Sequence, residues 1–121
     1  MSALAMGLLK KGCSVSGSDL VKNNEINKLE KLGAIIFNSQ IRQNIEFITS
    51  KFNNKLINFV VSSAIKPENE ELSYCREKNL SIKHRSEILA MLMRTYTTLA
   101  VAGSHGKTST STFLSTILIV I

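Results

Sequence analysis

The segment from Ala102 to Thr110 combines glycine, lysine and hydroxyl side chains at a spacing that suits phosphate binding. Gly103 and Gly106 can adopt backbone angles that residues with a Cβ avoid, so successive N–H groups of the segment can converge on one anion. An apolar run precedes the segment, and a helix that follows would add the positive end of its dipole. The spacing therefore predicts a phosphate-binding loop between a strand and a helix.

Two side chains of this loop are suited to phosphoryl transfer. Lys107 can reach the β- and γ-phosphates of a nucleotide, and the Thr108 hydroxyl can ligate the accompanying Mg²⁺. Only the short pattern G-x-x-G-K-T is present, because Val101 occupies the position where the general Walker pattern has its first glycine. The alternative interpretation is a glycine turn that caps an ordinary helix.

Composition excludes several classes of protein. The chain has 121 residues, 44% hydrophobic and 20% charged, which is ordinary for one globular domain with a core. The net charge is +6, but the lysines are scattered and no tryptophan accompanies them, which favours a solvated surface over a nucleic-acid-binding face. Cys13 and Cys75 lack the spacing of zinc ligands, so reduced cytosolic thiols are expected. The apolar ends are too short for a signal core or a membrane span.

Apolar residues alternate along the chain between helical spacing and strand-like runs. Helices are expected over residues 1–12, 26–32 and 41–52, from Pro67, and after a cap at Ser86, with strands over 13–17, 34–37, 56–61, 81–83 and 97–102. Such alternation predicts an α/β fold, a Rossmann-like doubly wound parallel sheet that runs into the phosphate loop. Asn53-Asn54 is the expected loop tip. Because the chain opens and stops inside helical patterns, we expect a piece of a longer protein.

Two polar positions follow expected strands, where ligands of open parallel sheets collect. Asp19 follows the strand 13–17, at the place where a doubly wound sheet puts an acid that reads a ribose hydroxyl. The alternative is that Asp19 caps the next turn. Ser62 and Ser63 follow the strand 56–61. Both positions are candidates for binding a nucleotide-linked ligand.

Four segments, taken in their order and spacing, resemble the Mur ligase family. They are Met1-Ser2-Ala3-Leu4-Ala5, Val15-Ser16-Gly17-Ser18-Asp19, Val60-Val61-Ser62-Ser63-Ala64-Ile65 and Ala102-Gly103-Ser104-His105-Gly106-Lys107-Thr108. The resemblance implies a Rossmann-like domain over residues 1–84 that binds a UDP-sugar, and the start of a central ATP-binding domain over residues 85–121. It also implies that a first strand with its glycine-rich loop, most of the ATPase domain and the C-terminal domain are missing.

The family resemblance implies ATP-driven amide formation in cytoplasmic peptidoglycan synthesis. ATP phosphorylates the carboxylate of UDP-N-acetylmuramate to an acyl phosphate, which the amine of L-alanine attacks. By this resemblance ATP and Mg²⁺ are held by the loop residues Gly103, Ser104, His105, Gly106, Lys107, Thr108 and Ser109, with Lys107 and Thr108 acting on the transferred phosphate. The sugar nucleotide is bordered by Ser2, Asp19, Leu20, Ser62 and Ser63. The chain alone is expected to be inactive.

Other functions stay open at this point. A sibling ligase joins a whole murein peptide to the same sugar nucleotide, and residues beyond Ile121 would decide between the two ligases. A nucleotide kinase or GTPase usually places its phosphate loop after the first strand, and an oxidoreductase needs a glycine fingerprint that is absent here. A non-catalytic nucleotide-binding remnant is the remaining class. Neither nucleic acid nor a membrane is an expected partner, and the oligomeric state is open.

Overall fold

The computed structural model describes residues 1–53 and 55–120, so Asn54 of the expected loop tip lies outside the described residues. In these ranges the helices are α1 (Ser2–Lys10), α2 (Asn24–Lys31), α3 (Arg42–Lys51), α4 (Glu70–Glu77), α5 (Arg85–Met93) and α6 (Lys107–Val120). The strands are β1 (Ser16–Ser18), β2 (Ile35–Phe37), β3 (Phe59–Val61) and β4 (Ile82–His84). Helices and strands alternate from α1 to α5, which confirms the α/β class.

The strands form two separate parallel pairs. β1 pairs with β2, where Gly17 lies opposite Ile36, and β3 pairs with β4, where Val60 lies opposite Lys83. Helical connections make this parallel pairing possible, because a parallel neighbour cannot be reached through a short hairpin. The expected single doubly wound sheet is therefore present only as two two-stranded sheets.

Helices cover the strands in two groups. α1 contacts both α2 and α5, whereas α3 contacts α4. Each group contributes apolar side chains to the core, whose buried members are Ile26, Leu29, Ala34, Ile48, Leu72, Cys75 and Ile88. No side chain of the described residues is less than 2% exposed, and the strand residues of β2 and β3 are only half-buried. The core is therefore thin for an α/β arrangement, whose parallel strands are normally covered on both faces.

Side-chain caps set the starts of three helices. The Oδ1 atoms of Asn23 and Asn69 accept hydrogen bonds from the N–H groups of Ile26 (3.0 Å) and Leu72 (3.1 Å), which satisfies donors that have no partner inside the helix. Asn69 places the start of α4 at Glu70, later than the start expected at Pro67.

The capping prediction at Ser86 was wrong by two residues. β4 runs directly into α5, so His84 becomes the N-cap: its Nδ1 accepts from the N–H of Ser86 at 3.4 Å, and its own N–H donates to Oε2 of Glu87 at 2.7 Å. This is the reciprocal pattern of a capping box with a histidine in the hydroxyl position. Ile88 is buried in α5, whereas its neighbour Leu89 is 47% exposed.

The strand expected over residues 97–102 is absent, and these residues have no regular structure. A strand persists only when a neighbour satisfies its N–H and C=O groups, and no such neighbour lies beside this segment in the described chain. No helix of the described residues is long and apolar enough to cross a membrane.

Candidate functional site

The ends of three strands meet at one edge of the molecule. Ser18, the last residue of β1, donates from its Oγ to Oε2 of Glu71 in α4 at 2.6 Å. Gln40, which follows β2, accepts through its Oε1 from Nδ2 of Asn69 at 2.9 Å. Since α4 is the helix that follows β3, these bonds bring the carboxyl ends of β1, β2 and β3 together. This is the edge where open parallel sheets bind ligands.

A buried amide reinforces this edge. Asn44 of α3 is 6% exposed, and its Nδ2 donates to the carbonyl oxygen of Ser39 and to Oε1 of Glu71, both at 2.7 Å. Glu71 therefore accepts one hydrogen bond on each carboxylate oxygen, from Ser18 and from Asn44. Bonds of this kind to an ionised carboxylate are short and stronger than bonds between neutral groups.

The Glu71 carboxylate also acts on a thiol below it in α4. Burial of Cys75, aided by the negative charge of Glu71, raises the pKa of the Cys75 thiol from 9.0 to about 11. The thiol therefore stays neutral near pH 7, and a neutral buried thiol behaves as a small apolar side chain. Cys75 is a core residue rather than a nucleophile.

Two cavities open at this part of the molecule. The larger, about 850 Å³, lies between the two sheets and is lined in part by Ser2, Asp19 and Ser62. The smaller, about 500 Å³, is lined by residues that follow β1, β2 and β3: Leu20, Gln40, Ala64, Ile65, Lys66, Glu68 and Asn69. Four of the five residues expected beside the sugar nucleotide thus line one of two cavities. Ser63 is exposed and lines neither.

Asp19 has the local role that was the alternative to ligand binding. Its Oδ1 accepts from the N–H of Val21 at 3.0 Å, which closes an Asx turn directly after β1. Its own N–H donates to the carbonyl oxygen of Phe37 at 3.0 Å, which extends the β1–β2 pairing by one residue. The side chain is exposed, so the turn holds the carboxylate at the rim of the larger cavity.

The expected phosphate loop has a glycine-dependent backbone. Gly106 has a φ of 73°, in the left-handed region that favours glycine, and α6 begins at the next residue, Lys107. Nζ of Lys107 donates to the carbonyl oxygen of Gly103 at 2.7 Å, so the ammonium group lies across the loop. The N–H groups in the first turn of α6 are suited to an anion.

The donor set of the loop fits a magnesium nucleotide better than a bare metal ion. The described residues contain no cluster of three His, Cys, Asp or Glu side chains that could hold a metal. Mg²⁺ in nucleotide sites is held by few protein ligands and completes its shell with phosphate oxygens and water, and the Thr108 hydroxyl suits that role. Residues 103–109 are exposed and line neither cavity, so the structure does not bring the loop to the strand ends.

Sequence reasoning missed the roles of Asn44 and Glu71. The sequence analysis assigns no role to either residue. Their partners lie 27 and 53 residues away, so no local pattern could have revealed them. A buried asparagine next to a helix start is visible only when the fold is known.

Comparison with known proteins identifies the class to which this fold and site belong. The model of the Mur ligase family, catalytic domain, matches residues 1–97. The chain therefore belongs to the Mur ligase family, as the four sequence segments indicated. The match ends before the expected phosphate loop.

Individual relatives extend the match through the loop. A protein named UDP-N-acetylmuramate--L-alanine ligase from Prochlorococcus marinus subsp. pastoris is 68% identical over 118 residues, which cover 98% of this chain and 25% of the relative. A ligase of the same name from Prochlorococcus marinus strain SARG is 52% identical, and one from Dinoroseobacter shibae is 42% identical, each over 98% of this chain and about a quarter of the relative. The chain thus spans about a quarter of the length of these relatives.

Proposed function

We propose that this chain is part of an ATP-dependent ligase that joins L-alanine to UDP-N-acetylmuramate in cytoplasmic peptidoglycan synthesis. The observation that carries the proposal is the 68% identity, over 98% of the chain, to a protein of that name. In this proposal residues 1–84 bind the sugar nucleotide as a Rossmann-like domain, and residues 85–121 begin the P-loop domain that binds ATP.

The meeting of the strand ends supports the sugar-nucleotide half of the proposal. Ser2, Asp19 and Ser62 share one cavity, and Leu20 borders the next. With Asp19 Oδ1 engaged in its turn, the second carboxylate oxygen is the acceptor that would receive a ribose hydroxyl. Ser62, with Ser63 beside it, would offer hydroxyl donors to the diphosphate.

The proposed reaction solves a problem of reactivity. A carboxylate is a poor electrophile because its charge repels a nucleophile. Transfer of the γ-phosphoryl group forms a bond from a muramate carboxylate oxygen to phosphorus, while the bond to the departing ADP breaks. The L-alanine amine then attacks the acyl carbon, loses a proton and displaces inorganic phosphate. Catalysis of this kind depends on positioning and on neutralising phosphate charge.

In this proposal the loop residues have different roles in ATP binding. The N–H groups of residues 103–106 would surround the phosphates, and those of Lys107, Thr108 and Ser109 lie in the first turn of α6. Nζ of Lys107 would exchange its bond with the Gly103 carbonyl for phosphate oxygens. Thr108 would hold Mg²⁺, which neutralises phosphate charge when bound. Ser104 and His105 would contribute chiefly through their backbone.

Nucleotide binding by the chain itself tests the ATP half. Lys107→Met should weaken the binding of magnesium ATP, measured by calorimetry, and leave the binding of UDP-N-acetylmuramate unchanged. Lys31→Met is the matched control, because Lys31 is an exposed lysine in the last turn of α2 that lines neither cavity. Equal loss of both ligands in Lys107→Met, or an equal effect of Lys31→Met, would contradict the assignment.

Catalysis is tested in two further steps. The chain spans a quarter of its relatives, so we propose that it releases no phosphate in an L-alanine-dependent manner, and measurable release would refute this. In a full-length ligase that carries this segment, ¹⁸O in the muramate carboxylate should appear in the released phosphate. Unlabelled phosphate would rule out the acyl phosphate, and turnover with a murein peptide but not with L-alanine would indicate the sibling ligase.

A further inference from the structure

Three residues line both cavities at the carboxyl edge of the strands, namely Gln40, Ile65 and Asn69. Gln40 follows β2, whereas Ile65 and Asn69 follow β3. A molecule that extends from one cavity into the other therefore passes two amide side chains. The hydrogen-bonding groups of these amides can distinguish what the molecule carries.

The orientation of the Asn69 amide is set by the start of α4. Its Oδ1 accepts a hydrogen bond from the N–H of Leu72 at 3.1 Å, and a backbone N–H can only donate. The backbone of Asn69 is held as well, because its N–H donates to the carbonyl oxygen of Lys66 and its carbonyl oxygen accepts from the N–H of Ser73. Nδ2 is therefore the free end of the Asn69 side chain, and an amide nitrogen can act only as a donor.

The Asn69 amide in turn determines the orientation of the Gln40 amide. The atom of Gln40 that lies 2.9 Å from Nδ2 of Asn69 has to be an acceptor, which assigns it as Oε1. Nε2 is then the free end of the Gln40 side chain, and it has no acceptor within residues 1–53 and 55–120. Because no buried side-chain nitrogen or oxygen of these residues lacks a partner, Nε2 is accessible from the cavities. Gln40 therefore presents an N–H donor to a ligand.

The main chain beside Gln40 is held in place too. The carbonyl oxygen of Ser39 accepts from Nδ2 of Asn44 at 2.7 Å, and Asn44 is itself buried and bonded to Glu71. Gln40 is half-buried and is thus anchored at its main chain and at its Oε1. This anchoring lowers the entropy cost of ordering Nε2 when a ligand binds.

The smaller cavity combines these two amides with apolar side chains. Leu20, Ala64 and Ile65 contribute apolar surface to its wall, which suits the face of a planar ring. Leu20 directly follows Asp19, the residue proposed to receive a ribose hydroxyl. The base of a nucleotide is bonded to its ribose, so a ribose bound at Asp19 would have its base beside Leu20, at the smaller cavity.

We propose that Gln40 binds the base of the sugar nucleotide through Nε2, and that Asn69 is the positioning residue that makes Gln40 a donor. This inference rests on the proposed function, since it takes the ligand to be a uridine nucleotide. Uracil, like thymine, carries a 4-oxo group that accepts a hydrogen bond, whereas cytosine carries a 4-amino group that donates. A donor at Gln40 therefore favours uracil, and an acceptor at the same place favours cytosine.

A purely structural bond between Gln40 and Asn69 is one competing interpretation, because the bond also ties the end of β2 to the start of α4. Loss of that tie would weaken the binding of all nucleotides alike or lower stability alone. Lys66 is a competing donor, since its exposed side chain also borders the smaller cavity. The ratio of the affinities for two bases separates these interpretations, because only a residue that contacts the base, or one that orients it, changes that ratio.

Asn69→Asp tests the proposal, because aspartate is as good an N-cap as asparagine and changes chiefly the group that faces Gln40. One carboxylate oxygen can still accept from the N–H of Leu72. The other oxygen can only accept, so Gln40 has to turn its Nε2 towards residue 69 and its Oε1 towards the cavity. The variant thus converts the donor at Gln40 into an acceptor.

The measurement is the ratio of the dissociation constants of UDP and CDP, obtained by calorimetry. The two nucleotides carry the same ribose and diphosphate, so the added charge at residue 69 affects both alike. The unmodified chain should bind UDP about tenfold more tightly than CDP, and Asn69→Asp should lower this preference about tenfold, because it mispairs one hydrogen-bonding group. An unchanged preference in Asn69→Asp would overturn the proposal.

Gln40→Glu gives an independent check that leaves Asn69 and its cap unchanged. Its carboxylate would accept from Nδ2 of Asn69 and present an acceptor to the cavity, so this variant should also lower the preference for UDP. Gln43→Glu is the matched control, because Gln43 is exposed in the first turn of α3 and lines neither cavity. An equal loss of preference in Gln43→Glu would show that only the added charge matters and would refute the role of Gln40.

Further outcomes separate this inference from the proposed function. If circular dichroism shows that Asn69→Asp is unfolded, Gln40→Glu decides the question. Binding of UDP-N-acetylmuramate with an unchanged UDP preference in both variants would refute the role of the amides and leave the sugar-nucleotide site standing. Loss of the preference in Lys66→Met alone would assign the base contact to Lys66 instead. Failure of the unmodified chain to bind UDP-N-acetylmuramate or UDP would refute the proposed sugar-nucleotide site, and this inference with it.

Discussion

Ser18 donates a 2.6 Å hydrogen bond to Glu71, although the two residues lie 53 positions apart in the sequence. Ser18 ends β1 and Glu71 lies in the first turn of α4, so the bond ties the carboxyl edge of one sheet to the helix that follows the first strand of the other. The second oxygen of Glu71 accepts from Asn44 in α3. One carboxylate therefore holds together three elements that border the proposed sugar-nucleotide site.

Glu71→Ala should lower the free energy of unfolding by about 1–3 kcal/mol, because it leaves the buried amide of Asn44 without one of its acceptors. Glu71→Gln keeps one carbonyl oxygen and should cost less. Urea unfolding with an unchanged m-value is the measurement. Glu70→Ala is the matched control, since Glu70 lies in the same turn of the same helix and is exposed. An equal loss in both alanine variants would show that only the helix dipole is affected.

Asn44→Asp should destabilise the protein more than Glu71→Ala does at pH 7, by about 3 kcal/mol or more. The change puts a second carboxylate within hydrogen-bond distance of Glu71 in a buried position, and two such carboxylates cannot both stay ionised without penalty. The loss of stability in this variant should therefore become smaller as the pH falls and one of the two carboxylates is protonated. The double variant with Glu71→Gln should recover part of the loss at pH 7, and no recovery would show that the charges do not interact.

Local sequence patterns predicted the parts of the fold that depend on local interactions. Ile26 and Leu29 lie three residues apart in α2 and are both buried, and the apolar run around Ile36 forms β2. The run 97–102 was also expected to be a strand but forms none, because a parallel strand requires a partner that apolar residues alone do not supply.

The features of the site that follow from local patterns were likewise predicted, and those that depend on distant contacts were not. Asp19 and Ser62 were identified because the carboxyl ends of parallel strands have a known relation to ligands, and both line the larger cavity. The Ser18–Glu71 bond and the exposed position of the expected phosphate loop depend on how distant segments pack, and neither has a signal in local sequence. The cap at His84 was missed for a further reason, since histidine is not among the preferred N-cap residues.

The raised pKa of the Cys75 thiol should make the free energy of unfolding fall at alkaline pH. Its pKa is raised to about 11 in the folded chain, chiefly by burial, and its ordinary value is 9.0, so the unfolded chain loses this proton first as the pH rises. The contribution is fully present below pH 9 and is lost as the pH rises towards 11. Urea unfolding of the unmodified chain and of Cys75→Ala, measured between pH 9 and about pH 11, separates the contribution of this thiol from those of other groups. A parallel pH dependence in the two proteins would contradict the assignment.

The same burial should separate the two thiols by reactivity. Cys13 is exposed and Cys75 is buried, so iodoacetamide at pH 8 should modify Cys13 rapidly and Cys75 only at the rate of opening. Mass spectrometry of peptides after timed alkylation measures both rates. Glu71→Gln weakens the hydrogen bonds that tie α4 to Ser18 and Asn44, so opening should be more frequent and Cys75 should react faster in that variant. Equal rates for the two cysteines in the unmodified chain would contradict the buried position of Cys75.

Gly106→Ala should weaken the binding of magnesium ATP by about tenfold, since a Cβ in the left-handed region costs about 1–2 kcal/mol and Gly106 has a φ of 73°. Gly12→Ala is the matched control: Gly12 has a φ of 81°, and an added Cβ meets no atom within 4 Å at either glycine. Both variants should lose similar stability in urea, so only the difference in ATP affinity by calorimetry reports on the loop. If the two variants bind ATP equally well, the left-handed turn at Gly106 serves only to begin α6, and the phosphates are bound elsewhere.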